Sequence, residues 1–225
     1  MKSLLKVYKK KKIVITGATG FKGAWLSFWL HMLGAKVYTM GYLPNKNEKL
    51  FYLLNLHKKT TLKILDIRDF SKMEKYIDKV KPEFIFHLAA QPLILDGYKH
   101  PYKTYETNTL GTLNIIEITR KSKYVKSLIC VTSDKCYESN FSTKGFKETD
   151  RLGGIDPYSG SKASAEIIIK TYIESFQKNQ NNTGIASVRA GNVIGGGDQS
   201  PNRLIVDVIN SLYKRKKIVL RNPKF

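Results

Sequence analysis

The sequence predicts an α/β protein, a doubly wound parallel sheet with helices on both faces. Three observations predict it. Short β-branched runs alternate with helix-period segments from residue 12 to residue 189, a glycine-rich turn lies between the first such run and the first such helix, and no repeat or low-complexity stretch interrupts the alternation. Strands separated by helices cannot close as tight hairpins, so they pair in parallel with the helices as crossovers.

The elements follow in order. Residues 1–11 are basic and lack the apolar run and small-residue cleavage site of a signal peptide, which makes them a frayed, solvated lead-in. Residues 12–16 (KIVIT) form the first strand. Gly17, Gly20 and Gly23 come next, and Phe21, Ala24, Trp25, Phe28, Trp29 and Met32 recur at helical spacing up to Gly34. Residues 35–40 and 62–65 are the second and third strands. A helix over 69–80 stops before Pro82, and residues 83–88 (EFIFHL) are the fourth strand. A helix over 104–121, a fifth strand over 127–132, a long helix over 157–177 and a sixth strand over 184–189 complete the sheet. A last helix over 203–214 and a short strand over 217–220 follow. Residues 1–200 therefore read as one dinucleotide-binding domain holding the reactive groups. Residues 201–225 lie beyond that unit, and the family resemblance that the motifs carry implies that they begin a substrate-binding lobe largely absent from the chain.

Composition narrows the function classes. With 42% hydrophobic and 25% charged residues the chain is neither disordered nor collagen-like, and no window is apolar enough to span a bilayer. The formal net charge is +21, but 32 of the 39 basic residues are lysines scattered over the whole length. Nucleic-acid readers concentrate arginine on one face, so the excess reads as a solvated basic surface that favours anionic metabolites. Two cysteines, Cys130 and Cys136, build no disulfide framework, which points to a reducing cytoplasm. No His, Cys or carboxylate group has metal-ligand spacing.

The chemistry sits at the ends of the strands. A first glycine permits a tight turn, a middle one lets backbone approach a pyrophosphate, and a last one lets helix pack on strand; the helix N-terminus then attracts phosphate. In this Rossmann-type arrangement a ribose-binding acid belongs about twenty residues on, yet residues 37–42 (VYTMGY) contain none, and no arginine stands there for a 2′-phosphate. Residue pattern alone therefore leaves NAD and NADP open. Asp66, at the end of the third strand, is placed to accept from an adenine amino group or to cap a helix. Tyr158 and Lys162 lie four apart at the start of a helix opened by Asp156-Pro157, where a lysine cation beside a phenol lowers its pKa towards working pH. Ser133, at the end of the fifth strand, can bond the same substrate oxygen.

On these motifs the sequence resembles the extended short-chain dehydrogenase/reductase family over essentially its whole length. It is most similar to the nucleotide-sugar 4,6-dehydratases, and among them to the branch that acts on CDP-glucose. The residues carrying the likeness are Thr16-Gly-Ala-Thr-Gly-Phe-Lys-Gly23, His87-Leu-Ala-Ala-Gln-Pro92, Asn108-Thr-Leu-Gly-Thr112, Val131-Thr-Ser-Asp-Lys-Cys-Tyr137, Asp156-Pro-Tyr-Ser-Gly-Ser-Lys162 and Arg189-Ala-Gly-Asn-Val-Ile-Gly-Gly-Gly-Asp198. The resemblance implies a lyase of nucleotide-sugar and O-antigen biosynthesis that uses bound NAD, with Ser133, Asp134, Lys135, Tyr158 and Lys162 as catalytic residues. It implies cofactor contacts from Gly17, Thr19, Gly20, Phe21, Lys22, Gly23, Asp66 and Ile67. Leu88, Ala89, Ala90, Gln91, Asn108, Thr132, Tyr158 and Lys162 would complete that set. Substrate contacts would come from Gln91, Ser133, Asn192 and Arg203. Lys135 stands where a relative branch has a glutamate base, and an amine must be neutral to act so, which leaves the C5 base open. His87 reads as a satisfied core histidine.

Two other readings stay open here. One is an epimerase, or a dehydratase of another nucleotide sugar; Asp134-Lys135 speaks against a plain epimerase, which expels no hydroxyl. The other is a non-enzymatic NAD(H)-binding protein, against which stand the intact Ser133, Tyr158 and Lys162. The expected partners are a nucleotide sugar and a second copy of the chain, paired through the helices at 104–121 and 157–177, with neither nucleic acid nor membrane.

Overall fold

A computed structural model describes residues 2–43, 50–138, 145–177 and 183–220. Six parallel strands, β1 (Lys12–Thr16), β2 (Lys36–Gly41), β3 (Thr61–Ile64), β4 (Phe84–His87), β5 (Ser127–Val131) and β6 (Gly184–Val188), form one sheet in the order β3-β2-β1-β4-β5-β6. Ile13 pairs with Val37 on one side and Phe84 on the other, so the strand order reverses at β1. At that reversal the crossovers diverge and a crevice opens beyond the C-terminal strand ends.

Alternation along β1 divides the core. Ile13 and Ile15 face one layer, where they meet Leu30 of α2 (Phe21–Met32) and Leu33, its C-cap. Val14 faces the other layer, with Ile85, Leu128 and the buried sides of three further helices. Those helices are α5 (Phe70–Val80), α8 (Gly111–Lys121) and α9 (Pro157–Tyr172); the short helices α3 (Leu50–Leu53) and α4 (Leu56–Lys59) pack beside α2. Fully buried apolar side chains on both faces are what a parallel sheet requires.

Three expectations are corrected. The basic lead-in is not frayed: α1 (Lys2–Tyr8) folds, and Leu4, Leu5 and Tyr8 cover the Ile13/Ile15 layer, so its apolar positions outweigh its lysines. The helix expected over 104–121 is longer and interrupted. After α6 (Ile94–Lys99), α7 (Pro101–Tyr105) runs into a π-helical turn (Glu106–Leu110) and then α8, and α9 likewise ends in a π turn, Ile173–Gln177. Residues 217–220 are not a strand: among the described residues the sheet ends at β6. Ahead of them α10 (Leu204–Tyr213) buries none of its residues.

Candidate active site at the switch point

The glycine turn shows why each position is glycine. Gly17 has φ +67°, and a Cβ on it would stand 2.6 Å from the Ala89 nitrogen. A Cβ on Gly23 would lie 2.1 Å from the Gly17 carbonyl oxygen, so α2 approaches β1 only without a side chain there. Gly20 is different: the nearest atom to its Cβ is Gly17 O at 3.5 Å, which leaves its outer side open to the cleft. Gly20 is also the N-cap of α2, with no side-chain cap, so the first amides of a twelve-residue helix face the cleft and favour an anion.

The cleft is walled by this turn, by Gly41 and Tyr42 after β2, by Ile67, and by Leu88, Ala89 and Ala90 after β4. Thr132, Tyr158 and Lys162 close one end, and Gly197, Asp198, Gln199, Ser200 and Arg203 form a further wall. Sequence-expected contacts Thr19, Phe21 and Lys22 also line it. An elongated, glycine-floored cleft with a free helix N-terminus suits a dinucleotide.

Helix α9 delivers the acid–base groups. Asp156 caps it by accepting from the Ser159 amide at 3.0 Å and the Ser159 hydroxyl at 2.6 Å, and Pro157 fills the first helical position. Tyr158 is thereby set in the first turn, with Lys162 one turn later. Lys162 is buried, and its Nζ donates to the Val131 carbonyl at 3.4 Å. Burial, with the Lys22 cation nearby, pulls its pKa down to about 8. The phenol of Tyr158 is not lowered as its spacing from Lys162 suggests. Burial raises it, Asp134 and Asp156 add to that, and only the Ser133 hydrogen bond and Arg203 pull it down. Burial is the largest cause, and Lys162 Nζ is engaged by the backbone of β5.

Ser133 is buried at the end of β5, where it caps a short 3₁₀ turn, Asp134–Cys136, by accepting from the Lys135 amide at 3.2 Å. Its hydroxyl donates to Asp134 Oδ1 at 3.1 Å. Lys135 is exposed, with Nζ 3.5 Å from Asp134 Oδ2.

Five expected contacts lie outside the cleft lining, Ser133 among them. Asp66 has both carboxylate oxygens engaged, by Tyr42 Oη at 2.9 Å and by Arg68, and does not cap α5, which Asp69 does. Gln91 is used internally: its Nε2 donates to Thr104 and its Oε1 accepts the Leu93 amide. Asn108 is a brace rather than a lining residue. Buried in the π turn, it bonds both the amide and the carbonyl of Gln91 and the hydroxyl of Ser161. Asn192 is exposed on the loop after β6. His87 is satisfied, between Thr16 at 2.8 Å and Thr112 at 3.3 Å.

Sequence reasoning missed Glu166. Its carboxylate is 3% exposed and accepts from Thr132 Oγ1, from Ser187 Oγ at 3.0 Å and from Arg189 Nη2 at 2.8 Å. The available signal was an acid one turn beyond Lys162 on the same buried helix face. Tyr42 and Asp198, which pairs with Arg203 at 2.8 Å, were missed too.

Residues 14–222 match the family described as GDP-mannose 4,6 dehydratase. The chain belongs to that family. Among family relatives, CDP-glucose 4,6-dehydratase of Salmonella typhimurium is 41% identical over 220 residues, covering 96% of this chain and 61% of that protein. The dTDP-D-glucose 4,6-dehydratase of Dictyostelium discoideum is 30% identical, over 93% of this chain and 50% of its own length. The solved dTDP-glucose 4,6-dehydratase from Bacillus anthracis, in complex with NAD, superposes with a TM-score of 0.75 at 26% identity, over 92% of this chain and 63% of that one. An epimerase from Methanothermobacter thermautotrophicus reaches 0.83 at 21% identity, which shows the shared fold. The chain thus spans between half and about three-fifths of the length of these proteins.

Proposed function

We propose that this chain carries the NAD-binding and catalytic part of a CDP-glucose 4,6-dehydratase, a lyase converting CDP-glucose to CDP-4-keto-6-deoxyglucose. The observation that carries the reading is the 41% identity over 96% of the chain to a protein of that name, with Ser133, Tyr158 and Lys162 converging beside the glycine-floored cleft. Residues 1–200 serve as the cofactor-binding unit, and residues from 201 onward lead to the substrate side. The exposed side chains of Tyr105, Leu110 and Ile167 favour a homodimer through the helical segments at 104–121 and 157–177. Buried, unpaired Cys130 and Cys136 suit the cytoplasm.

Bound NAD supplies reversible hydride storage, so that oxidation at C4 and reduction at C6 cancel. Tyr158 takes the proton of the sugar 4-hydroxyl while Ser133 holds the same oxygen by a hydrogen bond. Lys162, one turn along α9 and tied to the Val131 carbonyl, adds a buried cation at the same end of the cleft. The C4 ketone acidifies the C5 proton, which passes to a base as Asp134 protonates the departing 6-hydroxyl, so that water leaves across C5 and C6 and a proton returns to C5 when C6 is reduced. Lys22 and Arg203, both on the cleft wall, attract the substrate diphosphate.

The test is incubation of the full-length protein with NAD and CDP-, dTDP-, GDP- or UDP-glucose, with detection of the 4-keto-6-deoxy product. CDP-glucose is the one expected to turn over, and Tyr158→Phe should cut the rate about 10²–10⁴-fold while NADH still binds. Product from another nucleotide sugar but not from CDP-glucose, or undiminished turnover by Tyr158→Phe, overturns the reading.

A further inference from the structure

Parallel strands give the sheet two unlike ends. The cleft lies beyond the C-terminal strand ends. At the opposite end, main-chain hydrogen bonds set the segments leading into β2, β1, β4 and β5 side by side. The Lys36 amide donates to the Lys11 carbonyl at 2.8 Å, the Glu83 amide to the Lys12 carbonyl at 2.9 Å, and the Lys126 amide to the Glu83 carbonyl at 2.8 Å. Residues 9–12, 34–36, 79–83 and 122–126 therefore form one row across four adjacent strands, about 14 Å wide at the usual strand spacing.

That row is strongly basic. It holds nine lysines, and its one carboxylate, Glu83, is shared by Lys11 and Lys126 at 2.9 Å each. Asp78, just before it on α5, adds one more acid. Lys9, Lys10, Lys36, Lys79, Lys81 and Lys123 are exposed. Apolar side chains stand among them. Val7 of α1 is exposed, and exposed Tyr124 carries Lys81 Nζ 5.0 Å from its ring centre. Met32, in the last turn of α2, is 64% exposed, two residues from Gly34, whose carbonyl accepts the Lys10 amide at 2.8 Å. Lysines scattered along the sequence are thus gathered by the fold at the end remote from the cleft.

The make-up of this face selects its partner. Lysine is a hydrated point charge on a flexible stem, suited to a diffuse layer of anions, whereas base readout and bidentate phosphate contacts use arginine's fork. None of the four segments contains an arginine. Each lysine close to an anionic bilayer adds attraction, and apolar side chains among the lysines add burial at the headgroup boundary. We propose that the N-terminal end of the sheet is an interaction surface for the anionic headgroups of a lipid bilayer. No helix among the described residues is long and apolar enough to cross a membrane, so the contact is peripheral. A protein docked by this end turns its cleft to solvent. The surface uses no residue of the catalytic set, so it stands or falls apart from the dehydratase reading.

Sedimentation of the full-length protein with vesicles tests it, phosphatidylcholine alone against phosphatidylcholine mixed with an equal part of phosphatidylglycerol. The protein should pellet with the mixed vesicles only, and added salt should release it by screening. Lys9→Gln, Lys36→Gln and Lys123→Gln together should weaken that binding about a hundredfold, at about fivefold per charge. Lys72→Gln, Lys99→Gln and Lys103→Gln remove as many exposed charges from segments that follow the C-terminal strand ends, and should weaken it less than about tenfold. Circular dichroism checks the fold of both triple variants, and the single variants replace one that fails to fold. Binding to neither vesicle, equal binding to both, or equal loss in the two sets of variants overturns the proposal. Tighter binding to a DNA duplex than to the mixed vesicles, at equal phosphate and salt, overturns it in favour of nucleic acid.

Discussion

Lys162 combines burial with a cation, a costly state that a lysine keeps only where the charge is used. Its folded pKa of about 8 lies below the 10.5 of a free lysine. Between those values the unfolded chain holds a proton that the folded chain has released, so stability rises with pH across that window and is lowest below it. Lys162→Met should therefore raise stability at pH 7, on the order of 2 kcal/mol. It should also flatten the stability profile between pH 8 and 10.5. Denaturant unfolding at several pH values checks this; a variant less stable at pH 7 than the parent would show that the bond to Val131 outweighs desolvation. His87 titrates in the other window. Burial and the Lys162 cation hold it down to about 3, so stability falls as pH drops from 6.5, where the unfolded imidazole takes up a proton the folded one refuses.

Glu166 shows how elements are held in register around the site. One carboxylate on α9 ties Thr132 after β5 to Ser187 and Arg189 on and beyond β6. Arg189 in turn donates to the Glu148 carbonyl at 3.0 Å and stacks over the Tyr137 ring at 4.9 Å, which tethers the excursion between β5 and α9. Glu166→Ala leaves that guanidinium, 16% exposed, without its carboxylate and should cost about 3–5 kcal/mol. Glu166→Leu combined with Arg189→Met should recover part of the loss, because neither charge then remains buried. Urea denaturation of the three proteins decides it; a loss under about 1 kcal/mol for Glu166→Ala would mean that water replaces the pair. The π turn at Glu106–Leu110 is the second such device, swinging Asn108 inward to hold Gln91 against Ser161.

At the scale of the whole molecule two features oppose each other. Leu204, Ile209, Leu212 and Tyr213 on α10 are each more than half exposed, as are Ile194 and Val219, an apolar area that favours association. The net charge of +21 resists it by repulsion. Salt screens the repulsion over roughly 8–10 Å and leaves the apolar attraction, so sedimentation should show association growing with ionic strength. Replacing Leu204, Ile209 and Leu212 by Gln should reduce that growth. Unchanged association in the triple variant would place the contact elsewhere, with the helices at 104–121 and 157–177 as the surface to test next.

The order of strands and helices was legible because each element is specified locally. β-Branched runs, helical spacing and the positions of Gly17, Gly20, Gly23, Asp156 and Pro157 act within a few residues of themselves. Tyr158 and Lys162 were legible for the same reason, being one helical turn apart. What tertiary structure alone decided is every property that depends on residues far apart in the chain. The raised phenol of Tyr158 and the depressed amine of Lys162 come from burial, which no spacing reports. Glu166 meets Thr132 and Arg189 across 34 and 23 residues, and Arg68 meets Glu106 across 38. The fold brings those pairs together, and in a low-dielectric interior the charge that results depends on which partners arrive.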